Sequence, residues 1–174
     1  DTNTDNVYQV TVSVTPNHFV ESAANMEMIW VEPGTFMMGS PEGVGGWAEH
    51  PQHRVTLTKG FYLGKYEVTQ EQYEAVMTGN TDGLSANPSH FINNPKLPVE
   101  NITINDLAVF FERLNTKESE SLKSGWEYSL PTEAQWEFAS RAGTKTSYHW
   151  GEEVIFENAN FRSSGYGKTQ EIGM

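Results

Sequence analysis

The spacing of apolar and polar residues changes several times along this chain, and each change marks an element. Residues 7–14 (VYQVTVSV) alternate apolar with polar and are rich in β-branched side chains, which predicts a strand. Pro16 closes that run and 17–25 reads as a connector. Residues 1–25 are therefore expected to be an N-terminal β arm or the end of a preceding β domain. A second start comes at Met26-Glu27-Met28-Ile29-Trp30-Val31, followed by a Glu32-Pro33-Gly34 turn and a strand over 35–39. The glycine-rich, polar stretch 40–52 predicts a loop. Residues 54–58 and 61–66 alternate again, as two strands around a Lys59-Gly60 turn.

The period then lengthens. Thr69 stands where an N-cap belongs, Gln72 completes a capping box, and Tyr73, Val76 and Met77 share one helix face, with Gly79 as the stop. A long irregular loop is expected over 80–98. Thr103 and Asp106 open a second helix whose Leu107, Phe110, Phe111 and Leu114 fall at i, i+3, i+4 and i+7. The polar run 115–125 reads as a helix end or loop in solvent, with Glu118 and Glu120 exposed. A third helix is punctuated at both ends: Pro131 before it, Thr132 and Gln135 as a capping box, Glu133 in the first turn, Arg141 in the last, and Gly143 at the left-handed stop. Trp136 and Phe138 inside it are expected to be core. The tail 163–174 is poor in apolar residues, and Ile172 reads as the start of a strand.

Composition narrows the class. The chain has 174 residues, enough for one domain with a real core, and its 15 Gly and 8 Pro with 21 aromatics point to a loop-rich, aromatic-packed fold. The net charge of −12 disfavours nucleic acid or an anionic membrane as partner. Cysteine is absent, so no disulfide, thiolate nucleophile or metal–thiolate site exists within these residues. No run of eighteen apolar residues suggests a membrane span. The opening at Asp1, without a basic and apolar leader, reads as a processed and exported chain, with an extracytoplasmic location (periplasmic, surface or secreted) as the expectation.

The third helix, Leu130-Pro131-Thr132-Glu133-Ala134-Gln135-Trp136-Glu137-Phe138-Ala139-Ser140-Arg141-Ala142-Gly143, closely resembles the signature helix of the formylglycine-generating enzyme (sulfatase-modifying factor) family. Further segments match in the same order: Phe36-Met37-Met38-Gly39-Ser40, Glu49-His50-Pro51 leading to His53-Arg54-Val55-Thr56-Leu57, Phe61-Tyr62 with Tyr66-Glu67-Val68-Thr69, Asn87-Pro88-Ser89-His90-Phe91, Pro98-Val99-Glu100-Asn101, Trp150-Gly151 and Ala159-Asn160. The resemblance implies an α+β, loop-rich fold related to C-type lectins, with residues 26–174 as an incomplete domain covering its N-terminal two-thirds. It also implies oxygen-dependent oxidation of a sulfatase cysteine to Cα-formylglycine, on copper held by a cysteine pair. Copper is expected only if a cysteine-bearing C-terminal part exists outside these residues, and this chain alone is expected to be inactive. The departures, Ser129 before Leu-Pro-Thr and Ile102-Thr103-Ile104 where the family has Val-Ser-Trp, place the chain among divergent relatives.

The same resemblance places calcium at Asn160, through its side chain, and at Phe161, through its carbonyl. The family's following acidic residue is not recognisable in Arg162-Ser163-Ser164-Gly165-Tyr166, and Asn160 pinning a loop through backbone hydrogen bonds is the competing expectation. Glu49, His50 and His53 form no metal motif by spacing, since no second pair completes a shell. His90 and His149 read as loop residues beside aromatics. Glu133 and Glu137, four apart, read as a solvated helix face. Trp47, between glycines and polar residues, is the tryptophan expected to be free for a ligand. Three functions stay open: a divergent oxidase, a non-catalytic lectin-like binding module presenting loops 40–52, 80–98 and 163–174 to a protein, peptide or glycan, and a structural subunit of a secreted or surface assembly. A protein partner, or the chain's own C-terminal segment, is expected to complete the domain.

Overall fold

In a computed structural model, which describes residues 17–160 and 165–173, the alternating stretches 27–38 and 53–64 run antiparallel as one interrupted ribbon. Strand β2 (Glu27–Val31) pairs with β5 (Phe61–Gly64), Val31 opposite Phe61. Strand β3 (Gly34–Met38) pairs with β4 (His53–Leu57), Gly34 opposite Leu57. The expected turn at Lys59-Gly60 therefore does not join two partners: β4 and β5 lie in different sheets. Glu32 and Pro33 separate the strands on one side, Thr58, Lys59 and Gly60 on the other, so the second stretch carries one extra residue, as a bulge does. Gly60 passes so close to the Trp30 ring that a Cβ would overlap it. A short strand β1 (His18–Val20) adds to the outer edge of β2, with Phe19 opposite Met28. The strand expected at 7–14 lies outside the described residues.

All three capping boxes form. Thr69 and Gln72 open α1 (Gln70–Met77), Thr103 and Asp106 open α2 (Ile104–Lys117), and Thr132 and Gln135 open α3 (Glu133–Arg141). Each threonine bonds the third amide, and each third side chain returns to the cap amide, satisfying two donors that a helix start leaves orphaned. The end of α3 departs slightly from expectation, because the left-handed turn begins at Ala142 (φ 47°) and continues through Gly143 (φ 83°).

The main core lies where α1 and α2 meet the β1–β2–β5 sheet. Ala24, Met26, Met28, Tyr73, Val76, Met77, Phe110 and Leu114 are buried together. Tyr73 and Phe110 stack with centroids 5.4 Å apart and planes within 5°. Helix α1 has no basic residue in its last turn. Arg113 of α2 supplies one instead, its Nε and Nη2 each donating at 2.8 Å to the carbonyls of Val76 and Thr78.

Helix α3 packs elsewhere, against the β3–β4 pair, with the Phe138 and Phe36 rings 5.3 Å apart. Gly34 makes room for this: a Cβ there would lie 2.7 Å from Phe138 Cζ. Trp136 is 60% exposed, which corrects the expectation that it is core. Two helical steps turn the chain by about 200°, so only one of Trp136 and Phe138 can face the sheet, and Phe138 does. No helix among the described residues is long and apolar enough to cross a membrane.

Tyr73→Ala should destabilise the domain by about 3–5 kcal/mol, whereas Trp136→Ala should stay within about 1 kcal/mol. Urea unfolding of the two variants checks this, and comparable losses would place Trp136 in the core after all.

Candidate functional site

The residues singled out by sequence separate into a structural clamp and a set of loops. Glu137 Oε1 accepts the Gly39 amide at 3.0 Å and the Arg141 guanidinium at 2.8 Å. Arg141 also reaches the carbonyls of Gly39 at 3.3 Å and Thr146 at 3.4 Å. Glu137 and Arg141 thus bind the end of β3 to α3 and to the loop that follows, so Glu137 is no solvated face residue. Loop 39–52 is closed by Glu49, which accepts from the Ser40 hydroxyl and from the Gly46 amide at 2.8 Å. Those bonds, Ser40 first, hold its carboxyl below the usual range. Its carbonyl faces Gly39 (φ 88°) closely enough to exclude any Cβ there.

Glu49 is therefore committed to its own loop, and His53 Nδ1 lies 2.9 Å from the Pro51 carbonyl. Among the described residues, no three His, Asp or Glu side chains gather as a metal site. Loop 80–98 is tied internally: the Asn80 amide bonds the Met77 and Leu84 carbonyls at 3.0 and 2.8 Å, and Gln70 Nε2 bonds the Phe91 carbonyl at 2.7 Å. His90 sets its ring edge on Phe91, and His149 on Trp150, which itself stacks on Tyr148. Trp47 is 91% exposed.

Asn160 donates from Nδ2 to the Lys168 carbonyl at 2.9 Å. Phe161 lies outside the described residues. Calcium takes six to eight oxygens, mostly from carboxylates and carbonyls. The described residues bring no carboxylate cluster to Asn160 and do not by themselves compose such a site. In the tail, Ile172 forms a single backbone bond to the Lys96 carbonyl at 3.3 Å and enters a turn, while Glu171 accepts from Asn94 Nδ2 at 3.0 Å.

The feature that sequence reasoning missed is a pair of carboxyl groups. Glu21 is 1% and Glu118 4% exposed, which corrects the placement of Glu118 in solvent. Its signal was present in the chain: Glu118 extends the α2 stripe by four residues beyond Leu114 and seven beyond Phe111. Glu21 sits in the turn from β1 to β2 and folds its carboxyl over the amides of Ala23 and Ala24. Glu118 is the C-cap of α2. It accepts from the hydroxyls of Ser22, at 2.6 Å, and Ser121. The β1–β2 turn is thus pinned to the end of a helix 96 residues further along.

Above this pair opens a cavity of about 240 Å³ lined by Phe19, Tyr62, Trp126, Tyr128, Leu122 and Glu118, among others. Its aromatic wall is continuous: Tyr62 meets Phe19 edge-on at 4.8 Å and Trp126 at 5.6 Å, with Trp30 behind both. Asn115 holds Tyr128 in place, accepting its amide at 2.7 Å and donating to its carbonyl at 2.9 Å.

Burial pushes the Glu21 carboxyl up, against the Ala24 and Ala23 amides, and the charge and hydrogen bond of Glu118 push it further. Burial opposes ionisation of Glu118 too, but the Ser121 and Ser22 hydroxyls and the hydrogen bond from Glu21 together outweigh it, and its carboxyl lies below the usual range. Glu21 is therefore the more readily protonated of the pair and Glu118 the more readily ionised. The Tyr128 phenol is pushed up by burial first and then by both carboxyls.

A family model described as a sulfatase-modifying factor enzyme 1-like domain matches residues 15–172. Among curated proteins, the chain is 29% identical over 157 residues to the serine/threonine-protein kinase pkn1 of Chlamydia caviae, covering 79% of this chain and 23% of that protein. It is 26% identical over 173 residues to the chaperone protein LppX of Paenibacillus barcinonensis, covering 84% and 52%. The chain thus spans about a quarter and about half of the lengths of these relatives. Among solved structures it superimposes on PvdO from Pseudomonas aeruginosa with a TM-score of 0.73 at 25% identity, over 92% of this chain and 67% of that one. Treponema denticola variable protein 1 shares the fold, with a TM-score of 0.57 at 24% identity over 77% and 60% of the two chains.

The pair makes stability depend on pH with a definite sign. Glu21 has a raised folded-state value, so its contribution is complete below its unfolded value of 4.5 and is lost as pH rises through the raised one. Glu118 works the other way, its contribution present above 4.5 and lost as pH falls through its lowered value. Glu21→Gln mimics the protonated carboxyl and should flatten the loss of stability on the alkaline side of pH 4.5. Thermal unfolding of both proteins from pH 4 to 9 checks this, and parallel curves would mean that Glu21 ionises freely.

Proposed function

The chain belongs to the family of sulfatase-modifying factor enzyme 1-like domains, and we propose that it works there as a binding module, with the pocket of Tyr62, Trp126 and Glu118 as its ligand site. The observation that carries this reading is the pocket itself: aromatic walls, one buried anionic group, and a rim set by the residues from the α2 C-cap onward and by the β1–β2 turn. Apolar walls with a few convergent polar groups are what small-ligand sites are made of. At about 240 Å³ the cavity is smaller than the roughly 300–1,000 Å³ usual for drug-sized ligands, so it suits a single side chain or a fragment-sized molecule.

The family's founding reaction supports a different role less well. Oxidation of a sulfatase cysteine to formylglycine relies on a cysteine pair holding copper. These 174 residues contain no cysteine, and soft copper sites need thiolate or thioether ligands. The residues present do not fit that metal. The relatives include proteins named as a kinase and as a chaperone, so related scaffolds occur in differently named proteins, and function must be argued from the site.

Two outcomes are expected. Titration with n-pentanol, followed by NMR of the tryptophan indoles, should shift Trp126 selectively, and Trp126→Ala should weaken binding. An unmoved Trp126 at saturating probe would remove the pocket as a binding site. This polypeptide, as sole protein, should leave a Cys-x-Pro-x-Arg peptide unconverted by mass spectrometry, and formylglycine in the product would restore the oxidase.

A further inference from the structure

The buried carboxyl pair is an unbalanced charge. Glu21 and Glu118 share a hydrogen bond, and of the two Glu118 is the more readily ionised. Among the described residues, no Lys, Arg or His forms an ion pair with either. Burying an anion without a cation is costly. Its placement adds to the cost, because Glu118 caps the C-terminus of α2, where the helix already concentrates negative potential. The Ser121 and Ser22 hydroxyls and the Glu21 carboxyl hydrogen-bond the Glu118 carboxylate and keep it ionised, yet none of them carries a positive charge. A buried carboxylate held by neutral donors alone, at a helix C-terminus, leaves negative potential in the cavity beside it, and that favours a cation there.

The cavity leads to that position. Glu118 is one of its lining residues, together with Ser22, Ser121 and Lys123, and the rest of the wall is apolar, with four aromatic side chains beside Val20 and Leu122. Aromatic faces attract cations as well as apolar stems, and more strongly where water is excluded.

We propose that the pocket takes an organic cation, an alkylammonium or guanidinium group on a short apolar stem, with the charged head on Glu118 and the stem between Tyr62 and Trp126. The proposal rests on the pocket being a binding site and adds the chemistry of its occupant. The shared chemistry is that of a free amine and of a Lys or Arg side chain on a peptide. Binding also couples to the pair: a cation on Glu118 favours ionisation of Glu21, which is hydrogen-bonded to Glu118, so that its proton leaves to solvent. The ionisable groups that line the site are Glu118 at the end of α2, Lys123 and Tyr128 from the segment after it, and Tyr62 from β5, with Glu21 of the β1–β2 turn hydrogen-bonded to Glu118 behind them. The phenols of Tyr62 and Tyr128 are pushed upward, chiefly by burial, and stay protonated. Lys123 makes no ion pair among the described residues and stands as the internal competitor for the same carboxylates.

The experiment titrates the whole chain with n-butylamine, n-pentanol and butyrate, three probes of similar size and different charge, read by calorimetry and by the Trp126 indole signal. The expected order is the ammonium tightest, by about tenfold over the alcohol, with butyrate not bound. Ammonium affinity should rise from pH 5 to pH 8, with proton release measured in buffers of different ionisation enthalpy. Glu118→Gln should abolish the preference for the ammonium while leaving pentanol bound, and Trp126→Ala should weaken both. A Lys side chain in a blocked peptide that binds more tightly than free butylamine assigns a polypeptide source, and the reverse assigns a free amine. Pentanol binding with no preference for the amine overturns the cation while the pocket stands, whereas no probe binding at all overturns the pocket itself. Amine binding that is absent from the wild type and gained in Lys123→Gln also overturns the proposal, because Lys123 would then be the cation that the pair holds.

Discussion

One extra residue in the second limb of the β-ribbon organises everything that follows it. Two residues separate β2 from β3, and three separate β4 from β5. Because side chains alternate with period two, a one-residue offset reverses which face a given parity presents. The ribbon is thereby divided into two sheets with separate clients. The β1–β2–β5 sheet turns Met28, Phe19 and Tyr62 toward α1 and α2, and the β3–β4 pair receives Phe138 of α3. Gly60, pressed against Trp30, is the point where a side chain would not fit, and that contact also sets Trp30 behind the pocket wall.

The two halves are held by different physics. The first is an apolar core, in which Tyr73, Phe110, Met77 and Leu114 are shielded from water and Arg113 neutralises the end of α1. The second has no fully buried residue on its helix and depends on directional polar contacts. There Glu137 and Arg141 grip both the amide and the carbonyl of Gly39, and Arg141 extends to Thr146. The exposed Trp47 and the Tyr148–Trp150 stack lie on segments tied to that clamp, so their loops are anchored at one end. Glu49, His53 and Glu137, titratable residues weighed in the sequence for a metal or a solvated face, are occupied in closing these loops.

The pocket lies at the junction between the apolar half and the chain that leaves it. Its floor joins the turn after β1 to the cap of α2 through Ser22 and Glu118, and Tyr128 closes it from the segment leading to α3. Three regions distant in sequence therefore share one buried charge. Such a floor is sensitive to protonation because Glu21 is shifted upward, chiefly by burial, and Glu118 downward, chiefly by the Ser121 and Ser22 hydroxyls. The family match describes the scaffold, whereas the chemistry of this floor rests on particular side chains.

Much of the fold was legible because its signals are local. The caps at Thr69, Thr103 and Thr132 need only residues three positions away, and the apolar faces of α1 and α2 follow from helical period alone. The order of family-like segments placed the domain for the same reason, since each is a short, contiguous string. What the string could not carry was partnership. Alternation marked β4 and β5 as strands, but their pairing with β3 and β2 depends on long-range register. The composition of α3 suggested two buried aromatics, yet a single contact face admits Phe138 and leaves Trp136 outside. Glu118, in a polar run, looked solvated until the β1–β2 turn came back over it. Burial is a property of what arrives from elsewhere in the chain, and only the tertiary structure brings Glu21 and Ser22 to that carboxylate.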